Sequence, residues 1–187
     1  CGIGKVSAAV GASELIRRFS PDCIVSTGVA GGIDACLKVT DVVASQRLVY
    51  HDVWCGDGNE YGQVQGFPAS YEGCSSLLKH ALSLNEAGME SRIHSGLVCT
   101  GDQFITNRTE LDTIKQRFPD GLAVDMESAA IAQICYLYNV PFLSFRIISD
   151  TPGVEDHASQ YADFWGTMAE RSFLTIWTFL STLPSNL

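Results

Sequence analysis

The chain has 187 residues and a formal net charge of −9 at pH 7. With 46% hydrophobic and 18% charged residues it is too apolar to be a disordered chain, and its length suits one domain with a real core. The acidic balance speaks against nucleic-acid or anionic-membrane binding by general electrostatic attraction, which needs clustered Lys and Arg.

Lys5 to Phe19 reads as a helix, with Val6, Ala9, Val10, Ile16 and Phe19 near one face and Ser20-Pro21 ending it. Cys23 to Ser26 reads as a short buried strand. It runs into Gly28-Val29-Ala30-Gly31-Gly32, whose glycine content predicts a turn. Asp41 to Arg47 reads as a second strand, and Asn59 to Ser70, with Gly62, Gly66 and Pro68, as a loop. Gly73 to Ala87 reads as a helix and Ile93 to Thr100 as a strand. Asn107 or Thr109 is placed to cap a helix running to Phe118. Leu122 to Met126 reads as a strand, Ser128 to Tyr138 as a helix and Phe142 to Ser149 as a strongly apolar strand. A last helix runs from about Tyr161 to Leu183. The alternation of strands and helices predicts an α/β fold: a single three-layer α/β/α domain over residues 1–187 around a mixed, mostly parallel sheet.

Seven cysteines, an odd number with no C-x-x-C pair, read as reduced thiols of a cytoplasmic protein. The longest apolar candidate, Ser172 to Leu183, is about twelve residues against the ~20 that a membrane span needs. The four histidines form no H-E-x-x-H and no close Cys/His pairing, so no metal site is expected. The first residue is Cys rather than Met, which leads us to expect an opening segment before it.

In parallel sheets ligands bind beyond the carboxyl ends of the strands. The residues there are Gly28 to Gly32, Gly101 to Ile105, Asp125 to Glu127 and Ser149-Asp150. Asp150, at the mouth of an apolar strand, suits a general acid that Ser149 could orient, or an ordinary turn acid before Thr151-Pro152. Glu127 has the two acceptor oxygens that vicinal ribose hydroxyls need, or is a first-turn acid facing a helix dipole. Asp125 is a second pocket carboxylate or a satisfied structural one. The glycine run lets backbone approach a ligand, or simply turns. Phe104-Ile105 offers an aromatic face and an apolar wall, or ordinary core.

Together, Gly2-Ile3-Gly4-Lys5, Thr27-Gly28-Val29-Ala30-Gly31-Gly32, Tyr50-His51-Asp52, Glu60-Tyr61-Gly62-Gln63, Gly101-Asp102-Gln103-Phe104-Ile105, Val124-Asp125-Met126-Glu127-Ser128-Ala129-Ala130 and Arg146-Ile147-Ile148-Ser149-Asp150 resemble one family. It is that of the bacterial 5′-methylthioadenosine/S-adenosylhomocysteine nucleosidases, within the purine nucleoside phosphorylase/hydrolase superfamily. The resemblance implies hydrolysis of the N-glycosidic bond without a cofactor, in methionine salvage. Asp150 would protonate N7 of adenine, with Ser149 holding it. Glu127 would bind the ribose hydroxyls and Met126 pack on the sugar. Phe104 would stack on adenine and the backbone of Ile105 read its edge. Val29, Ala30 and Gly31 would line the ribose end, with Asp125 nearby and Tyr161 close to the 5′ substituent. The partners implied are an adenine nucleoside and a second copy of the chain, the loop from Asp57 to Pro68 completing the neighbouring site of a homodimer. The family's water-positioning glutamate lies on an early strand that would precede Cys1. Val29 replaces a small polar residue of many relatives, and Asp125 stands where they often carry Glu. Two alternatives share the fold: a phosphate-dependent phosphorylase, disfavoured by Ser26 where such enzymes place an Arg, and a non-catalytic nucleoside-binding protein. An aminofutalosine is a further substrate type within the family.

Overall fold

A computed structural model of the chain describes residues 1–87, 91–152 and 157–184. It places α1 Lys5–Phe19, β1 Ile24–Gly32, β2 Val42–Tyr50, β3 Tyr71–Glu72, α2 Ser75–Ser83, β4 Ile93–Thr100, α3 Arg108–Arg117, β5 Gly121–Asp125, α4 Ser128–Tyr138, β6 Phe142–Asp150, α5 His157–Asp163 and α6 Ala169–Ser181. A 3-10 turn, Leu84–Ala87, extends α2, and a π-helical turn, Phe164–Met168, joins α5 to α6. The fold is mixed α/β, with six α-helices among the described residues around a central mixed sheet.

The strands run in the order β3-β2-β4-β5-β1-β6, and β2 pairs again with β6. β4 takes one edge of β2. On the other edge β6 pairs with Val42 to Ala44 and β3 with Arg47 and Leu48. β2, β4, β5, β1 and β6 therefore close into a ring. The parallel pairings, β1 with β6, β2 with β4 and β4 with β5, are the long ones. β1 meets β5 antiparallel only at Gly31↔Val124 and Gly32↔Ala123, where the carboxyl ends of both strands cross.

Alternate residues of the central strands face different helices, as the two-residue period of a strand requires. Val42 and Ala44, with Leu143 and Phe145, pack against Leu77 and Ala81 of α2 and Phe179 of α6. The Phe145 and Phe179 rings stack 4.7 Å apart. Val43 and Ile148 belong instead with Ala8 and Ala12 of α1 and Ala129 and Ala132 of α4. Leu111 and Ile114 of α3 cover Val49, Leu97 and Val124. All nine residues of β6 are buried, as suits a strand paired on both edges.

Several sequence expectations change. The run Gly28 to Gly32 is not a turn but the second half of β1, because β6 supplies a parallel partner as far as Gly31. Its glycines are needed for space. A Cβ at Gly28 would lie 2.1 Å from Arg146 Nη1, and one at Gly31 2.7 Å from Pro152 Cγ. α1 buries Ala8, Ala12 and Ile16, while Val6, Val10 and Phe19 face outward. The small side chains let α1 approach the alanine-rich α4 closely, and that approach decides the buried face. Asn107, not Thr109, caps α3: its side chain accepts the Glu110 N–H at 3.0 Å. The last helical stretch begins at His157 and is interrupted by the π turn.

Candidate active site

A cavity of about 380 Å³ opens where the carboxyl ends of β1, β5 and β6 meet the loop after β4. Every residue given a role in catalysis or substrate binding lines it, whereas Gly32, Gly101 and Asp102 of the strand-end groups do not. Val29, Ala30 and Gly31 come from β1, Phe104 and Ile105 from the loop after β4, and Asp125, Met126 and Glu127 from the end of β5 and the start of α4. Ser149 and Asp150 close β6, and Tyr161 reaches in from α5.

Asp150 is 3% exposed, and Ser149 Oγ donates to its Oδ1 at 2.5 Å. The same hydroxyl lies 3.4 Å from the Ala30 carbonyl, so it links the ends of β6 and β1. Just beyond, Thr151 N–H donates to Gln160 Oε1 at 2.9 Å, tying the exit of β6 to α5.

Sequence reasoning gave no role to the group at the centre of the site, Arg146. It projects from β6, 4% exposed, into the space left by Gly28. Its Nε donates to Ser128 Oγ at 3.0 Å and forms an ion pair with Asp125 Oδ2 at 2.8 Å, and its Nη2 donates to Ser26 Oγ at 3.3 Å. Nη2 also lies 3.7 Å from Glu127 Oε2. A charged residue inside Phe142–Asp150, every neighbour of which is buried, was the available signal, since an arginine is almost never fully buried unless paired.

Asp125 resolves to a supporting group. Its carboxylate accepts the Thr100 hydroxyl at 2.6 Å, the Ser128 N–H at 3.2 Å and the Ser128 hydroxyl, and it pairs with the Arg146 guanidinium, with its side chain 1% exposed. It therefore fixes the start of α4 and the arginine, and has little left for a ligand. Glu127, the N-cap residue of α4, makes no side-chain cap bond. Its Oε1 instead accepts the Gly4 N–H at 3.0 Å, across 123 residues of sequence. Thus Glu127 is held between a backbone donor and a guanidinium while lining the cavity.

Part of the lining is apolar. Phe104, 56% exposed, meets Tyr161 edge-on at 5.5 Å between ring centroids, and Tyr161 meets Trp165 edge-on at 6.2 Å. Ile105 is buried behind them. The site thus combines a cluster of three edge-to-face aromatic rings with three carboxylates and one arginine in one cavity. Such a field favours a ligand with a planar ring at one end and developing positive charge at the other. Cys1, Gly2 and Ile3 add a rim that the sequence reading did not assign to the cavity.

Among the described residues no group of three or more His, Cys, Asp or Glu is arranged to hold a metal ion. No helix among them is long and apolar enough to cross a membrane. The His157 side chain lies outside the described residues.

The family model of the phosphorylase superfamily matches residues 1–181. The chain is 45% identical over 159 residues to a 5′-methylthioadenosine/S-adenosylhomocysteine nucleosidase of Chromohalobacter salexigens, an alignment spanning 84% of this chain and 68% of the relative. The chain belongs to the 5′-methylthioadenosine/S-adenosylhomocysteine nucleosidase family. Its fold is that of the family's solved structures. The nucleosidase of Colwellia psychrerythraea in complex with adenine matches with a TM-score of 0.91 at 36% identity, covering 100% of this chain and 77% of that one. The Neisseria meningitidis nucleosidase with methylthio-immucillin-A matches with a TM-score of 0.90 at 35% identity, over 97% and 79%. Membership in this nucleosidase family accounts for a site whose glycines, arginine and carboxylates come from motifs far apart in sequence.

Proposed function

We propose that the protein hydrolyses the N-glycosidic bond of 5′-methylthioadenosine and S-adenosylhomocysteine, releasing adenine and the thioribose. The observation that carries this reading is one cavity lined both by two carboxylates of different setting and by the Phe104, Tyr161 and Trp165 rings. Asp150 is buried beside the Ser149 hydroxyl, and Glu127 is braced by Gly4 N–H and Arg146. Adenine stacks on Phe104, with its edge read by the backbone of Ile105. Asp150 gives its proton to N7, so the base leaves neutral as the C1′–N9 bond breaks and its electron pair moves into the purine. Glu127 accepts the ribose hydroxyls, and its negative charge favours the oxocarbenium-like sugar. Water adds at C1′ and yields its proton to solvent. Met126 packs on the sugar, Val29, Ala30 and Gly31 line its other side, and Tyr161 faces the 5′ substituent. A positioned general acid contributes about 10²–10⁴-fold, roughly 3–5 kcal/mol of the barrier.

The same reading extends to the assembly and to the chain's place in the cell. It takes residues 1–187 as belonging to one nucleosidase domain, in a three-layer α/β/α arrangement with a mostly parallel sheet. It makes the protein a cytoplasmic homodimer in methionine salvage, with the 57–68 loop near the neighbouring site. Val6, Val10 and Phe19 of α1 and Leu137 of α4, all exposed, support a second copy covering that face. Gel filtration with light scattering tests it.

The decisive assay follows adenine release from 5′-methylthioadenosine with and without phosphate. Hydrolysis requires turnover in phosphate-free buffer, and Asp150→Asn lowers kcat by at least about 10²-fold while nucleoside binding survives. Strict phosphate dependence, or an Asp150→Asn enzyme of undiminished kcat, refutes the mechanism.

A further inference from the structure

The N-terminal loop is fixed by charges that the proposed chemistry does not use. Lys5 Nζ reaches both oxygens of Asp52, at 2.9 and 2.7 Å, and lies 3.8 Å from Asp102 Oδ2. Asp52 Oδ2 also accepts the Asp102 N–H at 2.9 Å, and Asp102 Oδ1 accepts the Lys5 N–H at 2.8 Å. One lysine therefore joins three separate segments: the turn after β2, the loop after β4 that carries Phe104, and the start of α1. The adjacent peptide is the one whose N–H, on Gly4, holds Glu127 Oε1. Its conformation is specific, since Gly4 has φ +87° and a Cβ there would lie 3.0 Å from Asp102 Oδ1. Lys5 and Asp52 are mostly sheltered, with side chains 23% and 18% exposed, so solvent screens this ion pair only in part.

We infer that Lys5, with Asp52 and Asp102, is a positioning unit that sets the reach of Glu127 toward the ribose hydroxyls by holding the Gly4 N–H in place. The inference rests on the nucleoside reading above. The cluster touches neither the cavity nor the reacting atoms; it acts through one backbone hydrogen bond. Removing the lysine leaves two neighbouring carboxylates, Asp52 and Asp102, that repel each other and loosen the loop between them. Glu127 then keeps Arg146 but loses its second anchor.

The test is equilibrium binding by calorimetry of two 7-deaza probes, which have no N7 to protonate: 5′-methylthio-7-deazaadenosine and its 3′-deoxy counterpart. In the unaltered protein, loss of the hydroxyl weakens binding about 10–100-fold, the scale of a hydrogen bond to a charged group. In Lys5→Met that ratio falls to about threefold or less, because the hydroxyl-bearing probe loses affinity and the deoxy probe hardly changes. Lys5→Arg restores the ratio, and Asp102→Asn, at a more exposed position, gives an intermediate one. A merely structural loss weakens both probes equally. An unchanged ratio in Lys5→Met and Asp102→Asn, both folded by thermal melting, overturns the inference and leaves the nucleoside reading intact. Failure of both probes to bind the unaltered protein overturns that reading and this inference with it.

Discussion

Gly28→Ala tests the central packing relation of the site. The new methyl would sit 2.1 Å from Arg146 Nη1 and 3.4 Å from Cζ, far inside contact distance. Neither strand can yield, since Gly28 pairs with Arg146 within a continuous parallel ladder. The guanidinium must move, and moving it strips Asp125 and Ser128 of their buried partner. Overpacking costs about 1–3 kcal/mol. Breaking a buried ion pair costs about 3–5 kcal/mol if complete. Because a tilt of the guanidinium keeps part of that pair, we expect a loss near 3 kcal/mol. For a chain of this size that is a Tm fall of roughly 6–12 °C. Urea or thermal unfolding followed by circular dichroism measures it. The reasoning has a sharper check in a double-mutant cycle with Arg146→Met, where no guanidinium occupies the space. There the added cost of Gly28→Ala shrinks by more than about 1 kcal/mol. A Gly28→Ala protein within about 0.5 kcal/mol of the parent, or a fully additive cycle, refutes the packing argument.

Two further outcomes follow from groups outside the reaction. His51 is buried against Gly101, its Nε2 without a hydrogen-bond partner among the described residues, and desolvation lowers its pKa from the ordinary 6.5. Below pH 6.5 the unfolded chain binds a proton that the native site resists. His51 therefore contributes stability above pH 6.5 that is lost as the pH falls toward its native value. Unfolding midpoints between pH 7.5 and 5 should decline more steeply in the parent than in His51→Gln; parallel curves would contradict this. The cysteines divide by burial. Cys1, Cys36 and Cys55 are exposed, with desolvation and Asp34 raising the thiol pKa of Cys36, whereas burial raises the thiol pKa of Cys99 and takes that of Cys135 to about 12. Native iodoacetamide labelling read by mass spectrometry should modify Cys1 and Cys55 first and leave Cys99 and Cys135 unmodified until the protein unfolds. Early labelling of Cys99 would show that its surroundings open.

Local chemistry in the sequence determined the elements whose signals are local. β4 spans Ile93–Thr100, α1 Lys5–Phe19 and α4 Ser128–Tyr138, as hydrophobic period and end residues predicted. The sequence also marked Asp150, Glu127 and Phe104 as cavity residues, because strand ends are recognisable and their chemistry is distinctive. Partners far along the chain were not legible. The Gly28 to Gly32 run gives a turn signal, yet it is a strand because β6 lies beside it and Arg146 and Pro152 fill the space its missing Cβ atoms leave. Arg146 has a clear sequence oddity, but only the folded chain brings Asp125, Ser128 and Ser26 around it. Tertiary structure likewise decided that Thr100 and Ser128 take up the Asp125 carboxylate, and that Gly4 holds Glu127. The physical reason is the same in each case. Propensity and periodicity act within a few residues, whereas satisfying a buried charge or filling a gap depends on which distant segments the closed ring of strands brings together.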